Sequence, residues 1–429
     1  MTQQTAPDWT QHVMWWQVYP LGALGAPIRP DEAPTGAGGD GRTLRDLIGW
    51  LDHLIDLGLN GLALGPVFAS GSHGYDTVDF DVIDPRLGDR ADFDALVAAC
   101  HERGIRVLLD GVFNHVGEHH PWVRQALAEG PAGARADFFR IDWDAAGGPR
   151  PADFEGHGSL VALNHSNPAV AAEVARVMIQ WLDAGADGWR LDAAYAVPAA
   201  FWARVLPRVR ERHPQAWFVG EMIHGDYPGY VSASGLDSVT QYELWKAIWS
   251  SLREENLFEL DWNLRRHGEF AETFAPMTFV GNHDVTRIAS RVGADKAVLA
   301  ATVLFTVAGV PSVYYGDEWG LEALKEERIG GDDAIRPALP DAASATDLSG
   351  TAHGDRVQGA YRALAALRRR HPWLHRARTT MVELTNTRCV YRCADPGSDA
   401  GLEVELDLTG AGRPVARVLG AHGEVLFAG

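Results

Sequence analysis

Short apolar runs alternate with amphipathic stretches along most of the chain, and this beat predicts strands and helices in turn. Val13 to Tyr19 (V-M-W-W-Q-V-Y) is rich in aromatic and β-branched residues and reads as a first strand. A long loop follows, Pro20 to Arg42. Its G-A-G-G-D-G run (Gly36 to Gly41) reads as a surface loop, not a phosphate cradle, since no strand directly precedes it and no Lys-Ser/Thr follows. Leu44 to Leu57 has helical spacing and stops at Gly58. Strands are then predicted at Asn60 to Phe68, Ile105 to Asp110, Ala186 to Leu191, Ala216 to Gly220, Asp237 to Tyr242, Met277 to Gly281 and Pro311 to Tyr315. Helices are predicted at Asp92 to Arg103, Pro168 to Ala184, Pro198 to His213, Trp245 to Leu252, Asp295 to Ala308 and Gly354 to Arg370. Eight strands, mostly with a helix between one and the next, predict an α/β fold, a (β/α)8 TIM barrel. The rhythm breaks between His115 and Asn167, a segment too long for an ordinary loop, which reads as a subdomain inserted on the C-terminal rim. After Arg370 the period drops to two, as in L-E-V-E-L-D-L, and predicts a small antiparallel β domain. The expected domains are a barrel over 1–115 and 168–375, an insertion over 116–167 and a C-terminal β domain over 376–429.

In a barrel of this kind the working groups come from the C-terminal ends of several strands. Those ends supply Asp110, Asn114 and His115; Arg190 and Asp192; Glu221; and His283 and Asp284. Arg190 lies two residues before Asp192, so on a strand they share a face, and a guanidinium there favours the ionised carboxylate. Glu221 follows Trp217, Phe218, Val219 and Gly220; with apolar walls and no arginine next to it in sequence, it is expected to hold its proton longer. One ionised and one protonated acid are what glycoside hydrolysis requires.

Composition narrows the class. Apolar residues make up 46% and charged residues 22%, ordinary for a globular protein. The net charge of -19 opposes binding to nucleic acid, and Arg368 to Arg370 reads as a solvated helix end. Three cysteines (Cys100, Cys389, Cys393) leave at least one unpaired, which suits a reducing compartment. The N-terminal residues carry neither a basic nor an apolar segment, and no stretch has ~18 apolar residues in a row. The expectation is a cytoplasmic enzyme without membrane or nucleic-acid partners.

Four segments, D-G-V-F-N-H (Asp110 to His115), G-W-R-L-D-A-A (Gly188 to Ala194), V-G-E (Val219 to Glu221) and F-V-G-N-H-D (Phe279 to Asp284), resemble the signature segments of the α-amylase family, glycoside hydrolase family 13, in order. A-L-N-H-S-N-P (Ala162 to Pro168) resembles the segment near the end of that family's inserted domain B, and G-P-V-F with H-G-Y-D its second-strand region. The resemblance implies that Asp192 is the nucleophile, Glu221 the general acid/base and Asp284 the carboxylate that braces the sugar and transition state. It also implies that His115, Arg190 and His283 hold the sugar at the cleavage point, that Tyr75 stacks on it, and that Asp76 belongs to the same motif. G-E-M-I-H-G-D and G-G-D-D-A-I-R-P are similar to the cyclomaltodextrinase, neopullulanase and maltogenic amylase group, where Arg336 with Asp332 or Asp333 would bind the next sugar on the non-reducing side. That group carries an N-terminal β domain, whereas here the first strand begins near Val13. Ala194-Tyr195 replaces the Lys-His of extracellular α-amylases, which points toward short or cyclic maltooligosaccharides.

The expected activity is retaining hydrolysis of α-1,4 or α-1,6 glucosidic bonds in linear or cyclic α-glucan oligosaccharides by a monomer or homodimer. A transglycosylase or isomerase on the same scaffold is the nearest rival, because a sugar can intercept the covalent intermediate. A catalytically silent sugar-binding barrel and a metal-dependent hydrolase are the others. No catalytic metal or cofactor is expected. The resemblance leaves room for a structural Ca²⁺ at Asn114, and His115, Glu118, His119 and His120 read as a sugar contact with solvated neighbours, not a zinc site.

Overall fold

Eight short strands form one parallel sheet: β1 (Trp15–Val18), β2 (Gly61–Leu64), β3 (Arg106–Gly111), β4 (Gly188–Leu191), β5 (Trp217–Gly220), β6 (Ser238–Val239), β7 (Met277–Phe279) and β8 (Val310–Tyr314). They are hydrogen-bonded in the order β6-β5-β4-β3-β2-β1-β8-β7, and a parallel bridge from Thr240 to Met277 joins the two ends, so the barrel is nearly closed. The computed structural model describes residues 6–29, 41–328, 330–341, 353–409 and 412–429. Most of the G-A-G-G-D-G run lies outside them.

Several predicted boundaries move for local reasons. The second strand stops at Leu64, because Gly65-Pro66 follows and proline has no N–H for a ladder; Phe68–Ser70 instead pairs antiparallel with Thr77–Ile83. The first predicted helix opens as a 3-10 turn (Leu44–Trp50) and becomes α-helical only over Leu51–Asp56. The helix expected from Asp295 begins at Ile288 but is broken at Gly293, whose φ of 79° is left-handed, so the continuous part does start near Asp295. Helices at Pro20–Ala23, Pro121–Glu129, Tyr227–Ser234 and Leu257–Ala271 were not anticipated.

Contacts divide the chain into two compact units. One comprises Tyr19–Ile48 and Ala63–Asp237 with a short N-terminal piece. Within it, the helix Arg90–Glu102 starts at a capping box between Asp89 and Asp92, and Pro168–Asp183 starts at Asn167, whose side chain accepts from Ala169 N. The segment between β3 and β4 folds a three-stranded sheet in which His157–Ala162 pairs with His115–Gly117 on one side and Asp153–Phe154 on the other.

The other unit comprises Asp8–Val18, Gly49–Leu62 and Ser238–Gly429. Its five-stranded antiparallel sheet runs Arg378–Leu384, Arg388–Ala394, Gly401–Asp407, Val415–Leu419 and Val425–Ala428 in sequential order. The alternation in L-E-V-E-L-D-L is the cause of the third of these strands: Leu402, Val404 and Leu406 are buried while Glu403 faces solvent. Arg368 corrects the reading of a solvated helix end. It is buried, and its Nη1 donates to the carbonyls of Phe305 (2.9 Å) and Val307 (2.8 Å) and its Nη2 to that of Gly309 (2.6 Å), where Ile288–Thr306 ends. A cation at a helix C-terminus satisfies carbonyls that have no partner in their own helix. Arg369 and Arg370 are exposed.

Candidate active site

β4 is paired with β3 and β5 in parallel register, with Arg190 opposite Asp110 and Val219, and Leu191 opposite Gly111 and Gly220. The next residues of β4 and β5 are Asp192 and Glu221, so both acids stand just past their strand ends. Their main chains continue the ladder: Asp192 N donates to Gly111 O (3.0 Å) and Glu221 N to Leu191 O (2.9 Å).

One guanidinium gathers three carboxylates. Arg190 Nη1 donates to both oxygens of Asp110 and to Asp192 Oδ1, each at 2.9 Å, and Nη2 lies 2.8 Å from Glu221 Oε1. All four side chains are buried. Burial works against the Arg190 cation, but Asp110, Glu221 and Asp192 outweigh it and hold its pKa well above the ordinary value. This corrects the sequence argument in one respect: Glu221 does have an arginine partner, reached across the sheet from β4. Arg190 therefore does not distinguish the two acids. Glu221 Oε2 accepts a further bond from Ala193 N at 2.9 Å. Ala193 reaches that position through a left-handed backbone (φ 44°, ψ 38°), which is uncommon for a residue other than glycine and aims the N–H following Asp192 at Glu221.

Asp110 is the second support of this cluster, since its Oδ2 also accepts from the Tyr75 hydroxyl at 3.1 Å. His115 is buried with both ring nitrogens engaged, Nε2 against Tyr75 O (3.0 Å) and Nδ1 against the Asn114 amide (3.1 Å). A carbonyl can only accept, so Nε2 carries the proton and Nδ1 accepts. Burial pushes the His115 pKa down to about 4 against the bond to Tyr75, which favours the cation. Asp76 accepts from the Ser72 hydroxyl at 2.8 Å and sits in the turn between Phe68–Ser70 and Thr77–Ile83. From the inserted segment, Phe154 stacks on His115 with centroids 4.8 Å apart, and Glu155 accepts from the Tyr195 hydroxyl at 3.0 Å. Neither contact was anticipated.

In the other unit, His283 and Asp284 follow β7. Asp284 N donates to the Asn282 side chain (2.9 Å), whose amide donates to the Tyr242 hydroxyl (2.8 Å). Asp284 Oδ2 lies 3.0 Å from His283 Nε2 and Oδ1 3.0 Å from Arg336 Nη2. Arg336 also donates from Nε to His283 O at 2.8 Å. Of the two acids considered beside Arg336, Asp332 is paired with it, at 3.2 Å. His283 Nδ1 meets Gln17 Nε2 at 3.2 Å. Gln17 lies near the end of β1, and extending the collection of strand ends to the first strand would have found it.

The alpha-amylase catalytic-domain pattern matches residues 30–349. The chain belongs to the alpha-amylase family. Among curated relatives it is 32% identical to a cyclomaltodextrinase of Geobacillus thermopakistaniensis, over 74% of this chain and 57% of that protein. It is also 32% identical to neopullulanase 2 of Thermoactinomyces vulgaris, over 78% and 60%. The chain thus spans less than two thirds of the length of these relatives. Among solved structures, the ligand-free cyclic alpha-maltosyl-(1→6)-maltose hydrolase from Arthrobacter globiformis superposes with a TM-score of 0.81 at 27% identity, covering 99% of this chain and 100% of that one.

Asn114 is the residue at which the family resemblance would place a structural calcium. Ca²⁺ takes six to eight oxygens. The Asn114 amide nitrogen faces His115, and the carbonyls of Phe113 and Asp137 already accept from His165 and from Asn164 and Asn167. Among the described residues no group of three or more His, Cys, Asp or Glu is placed to hold a metal ion. His120 is not solvated as expected: it is buried, and its Nδ1 accepts from Trp122 N as a helix cap, while Glu118 and His119 are exposed. Among the described residues no helix is long and apolar enough to cross a membrane.

Proposed function

We propose that this chain is a retaining glycoside hydrolase that cleaves α-glucosidic bonds in short or cyclic maltooligosaccharides. The observation that carries this reading is the grip of one guanidinium on both Asp192 and Glu221 through its two terminal nitrogens. Acids held so closely suit the retaining separation of ~5 to 5.5 Å between carboxyl groups better than the ~6.5 to 9.5 Å of inverting enzymes. Asp192 attacks the anomeric carbon as Glu221 gives its proton to the departing oxygen, forming a covalent glycosyl-enzyme. Glu221 then takes a proton from water, which attacks the same carbon and releases Asp192. Asp284 takes the family's third role, and Tyr75, Asp76, His115, Arg190, His283 and Arg336 hold the sugar. In this reading Arg190 keeps both acids in position, and Tyr75 offers an aromatic face braced through Asp110.

The relatives named cyclomaltodextrinase and cyclic alpha-maltosyl-(1→6)-maltose hydrolase support a compact or ring-shaped substrate. Three buried, unpaired cysteines support work in the reducing cytoplasm, as a monomer or homodimer. Chromatography after incubation with maltose, maltotriose, cyclodextrins, panose and pullulan is expected to show short reducing sugars, and proton NMR of the first turnover to show the α-anomer. A first product with inverted configuration would end the reading, and mainly longer or relinked products would favour the transglycosylase. Exhaustive chelation is expected to leave the rate of sugar release unchanged, since every proposed step uses side chains alone; a rate lost to EDTA and restored by Ca²⁺ would refute this.

A further inference from the structure

Asp284 is held differently from the other two acids. Its side chain is 32% exposed, so packing alone does not fix it, and its position depends on His283 and Arg336. Besides its bonds to Asp332 and His283 O, Arg336 is held through the peptide before it. Ile335 O accepts from two buried donors, Arg287 Nη2 at 2.9 Å and the Tyr314 hydroxyl at 3.0 Å. Since that carbonyl lies in one rigid plane with Arg336 N, its two donors set where the Arg336 side chain begins.

Arg287 is placed for this. It is three residues beyond Asp284, and 1% of its surface is exposed. Its Nη1 donates to Tyr315 O and to Asp317 Oδ1, both at 2.9 Å, and its guanidinium carbon lies 4.6 Å from the Tyr314 ring centroid. Burial raises the Asp317 pKa to about 7, and Arg287 opposes that rise. The Arg287–Asp317 pair thus joins the loop after β7, the end of β8 and the Ile335–Arg336 turn. The plain alternative is a core ion pair that only holds the fold, and a buried ion pair is weak evidence for anything more. The shared acceptor at Ile335 is what separates the two readings, because a donor needed only for the fold has no reason to act through the residue that grips Asp284.

We propose that Arg287, assisted by Tyr314, is a positioning residue for Asp284 and acts through Arg336; the proposal rests on the functional reading above. The test is a double-mutant cycle on maltotriose hydrolysis, with Arg287→Lys and Tyr314→Phe each made alone and with Arg336→Ala, reading kcat, KM and melting temperature. Arg287→Lys is expected to lower kcat by about tenfold or more and Tyr314→Phe by a few-fold, with both effects shrinking below about twofold in the Arg336→Ala background. Effects of unchanged size in that background would overturn the proposal and leave a purely structural pair. A second readout needs no substrate. The Arg336 Nε–H, bonded to His283 O, is expected to exchange slowly in the wild type and faster in Tyr314→Phe, followed by nitrogen-15 NMR. An inactive wild type with this exchange pattern would refute the functional reading alone, whereas identical exchange in both proteins would refute the positioning role.

Discussion

Replacing Asp192 by Asn is expected to lower kcat on maltotriose by about 10⁴-fold or more, which is ~5 kcal/mol or more of transition-state stabilisation, while the protein stays folded. The loss follows from chemistry: an amide oxygen does not form the covalent glycosyl bond, and binding and acid assistance alone remain. Stability is expected to hold because three carboxylates share the single Arg190 guanidinium, and the exchange removes one negative charge from a cluster that has more than it needs. The reverse change is predicted to be far worse for the fold. Arg190→Met leaves three buried acids without their cation, at a cost on the order of 3 to 5 kcal/mol for breaking a buried pair from one side. Asp192→Ala gives the sharper assignment, because the space left beneath the sugar admits a small anion. With α-glucosyl fluoride as substrate, azide is expected to form β-glucosyl azide, the fluoride leaving as the new bond closes on the opposite face. Kinetics and NMR of the product check both outcomes. If Asp192→Asn kept more than a tenth of wild-type kcat, Asp192 would not be the nucleophile.

Much of this was legible in the chain because strand ends can be read from hydrophobic runs alone. The run ending at Gly220 places Glu221 beyond a strand, and the run ending at Leu191 places Asp192 in the same position one strand earlier, so the two acids fall side by side once the strands are parallel neighbours. What could not be read is anything requiring the lateral register. Arg190 is two residues from Asp192 in sequence, so their contact is local; its contacts with Asp110 and Glu221 depend on how β3, β4 and β5 are aligned. The Glu221 partner was missed for that reason. Phe154 and Glu155 lie in a segment with neither period two nor period 3.6, where nothing in the pattern says which side chain returns to His115 or Tyr195. Arg368 failed differently: its charge and its place at a helix end suggested solvent, whereas the three carbonyls it satisfies come from residues about sixty positions earlier.

Mild acid is expected to unfold the protein between about pH 6 and 4, and histidines inside the fold are the cause. In the buried His115, His120, His165 and His267 and in the partly buried His375, burial lowers the pKa from 6.5 to about 4. The bonds they make fit the neutral ring: His165 Nε2 donates to Phe113 O and His267 Nε2 to Ala308 O, while His120 Nδ1 accepts from Trp122 N and loses that role when protonated. Between pH 6.5 and 4 the unfolded chain binds these protons and the folded one does not, so stability falls as pH drops. Each such histidine contributes a slope of a little over ~1 kcal/mol per pH unit in that window. Asp317 acts in the opposite sense. Its folded pKa of about 7 exceeds the unfolded value, so it favours the folded state increasingly as pH falls below 7 and offsets about one histidine. Stability of roughly 5 to 15 kcal/mol is typical of folded proteins, and several unopposed protons of this kind would exhaust it within one to three pH units. The measurement is urea unfolding from pH 7.5 to 4.5, where the slope of free energy against pH counts the protons taken up. His267→Gln keeps a donor for Ala308 O and removes one titrating ring, so its slope is expected to be shallower by about one proton. A stability profile that stays flat from pH 7 to 5, or a His267→Gln slope equal to that of the wild type, would show that these rings do not control acid unfolding.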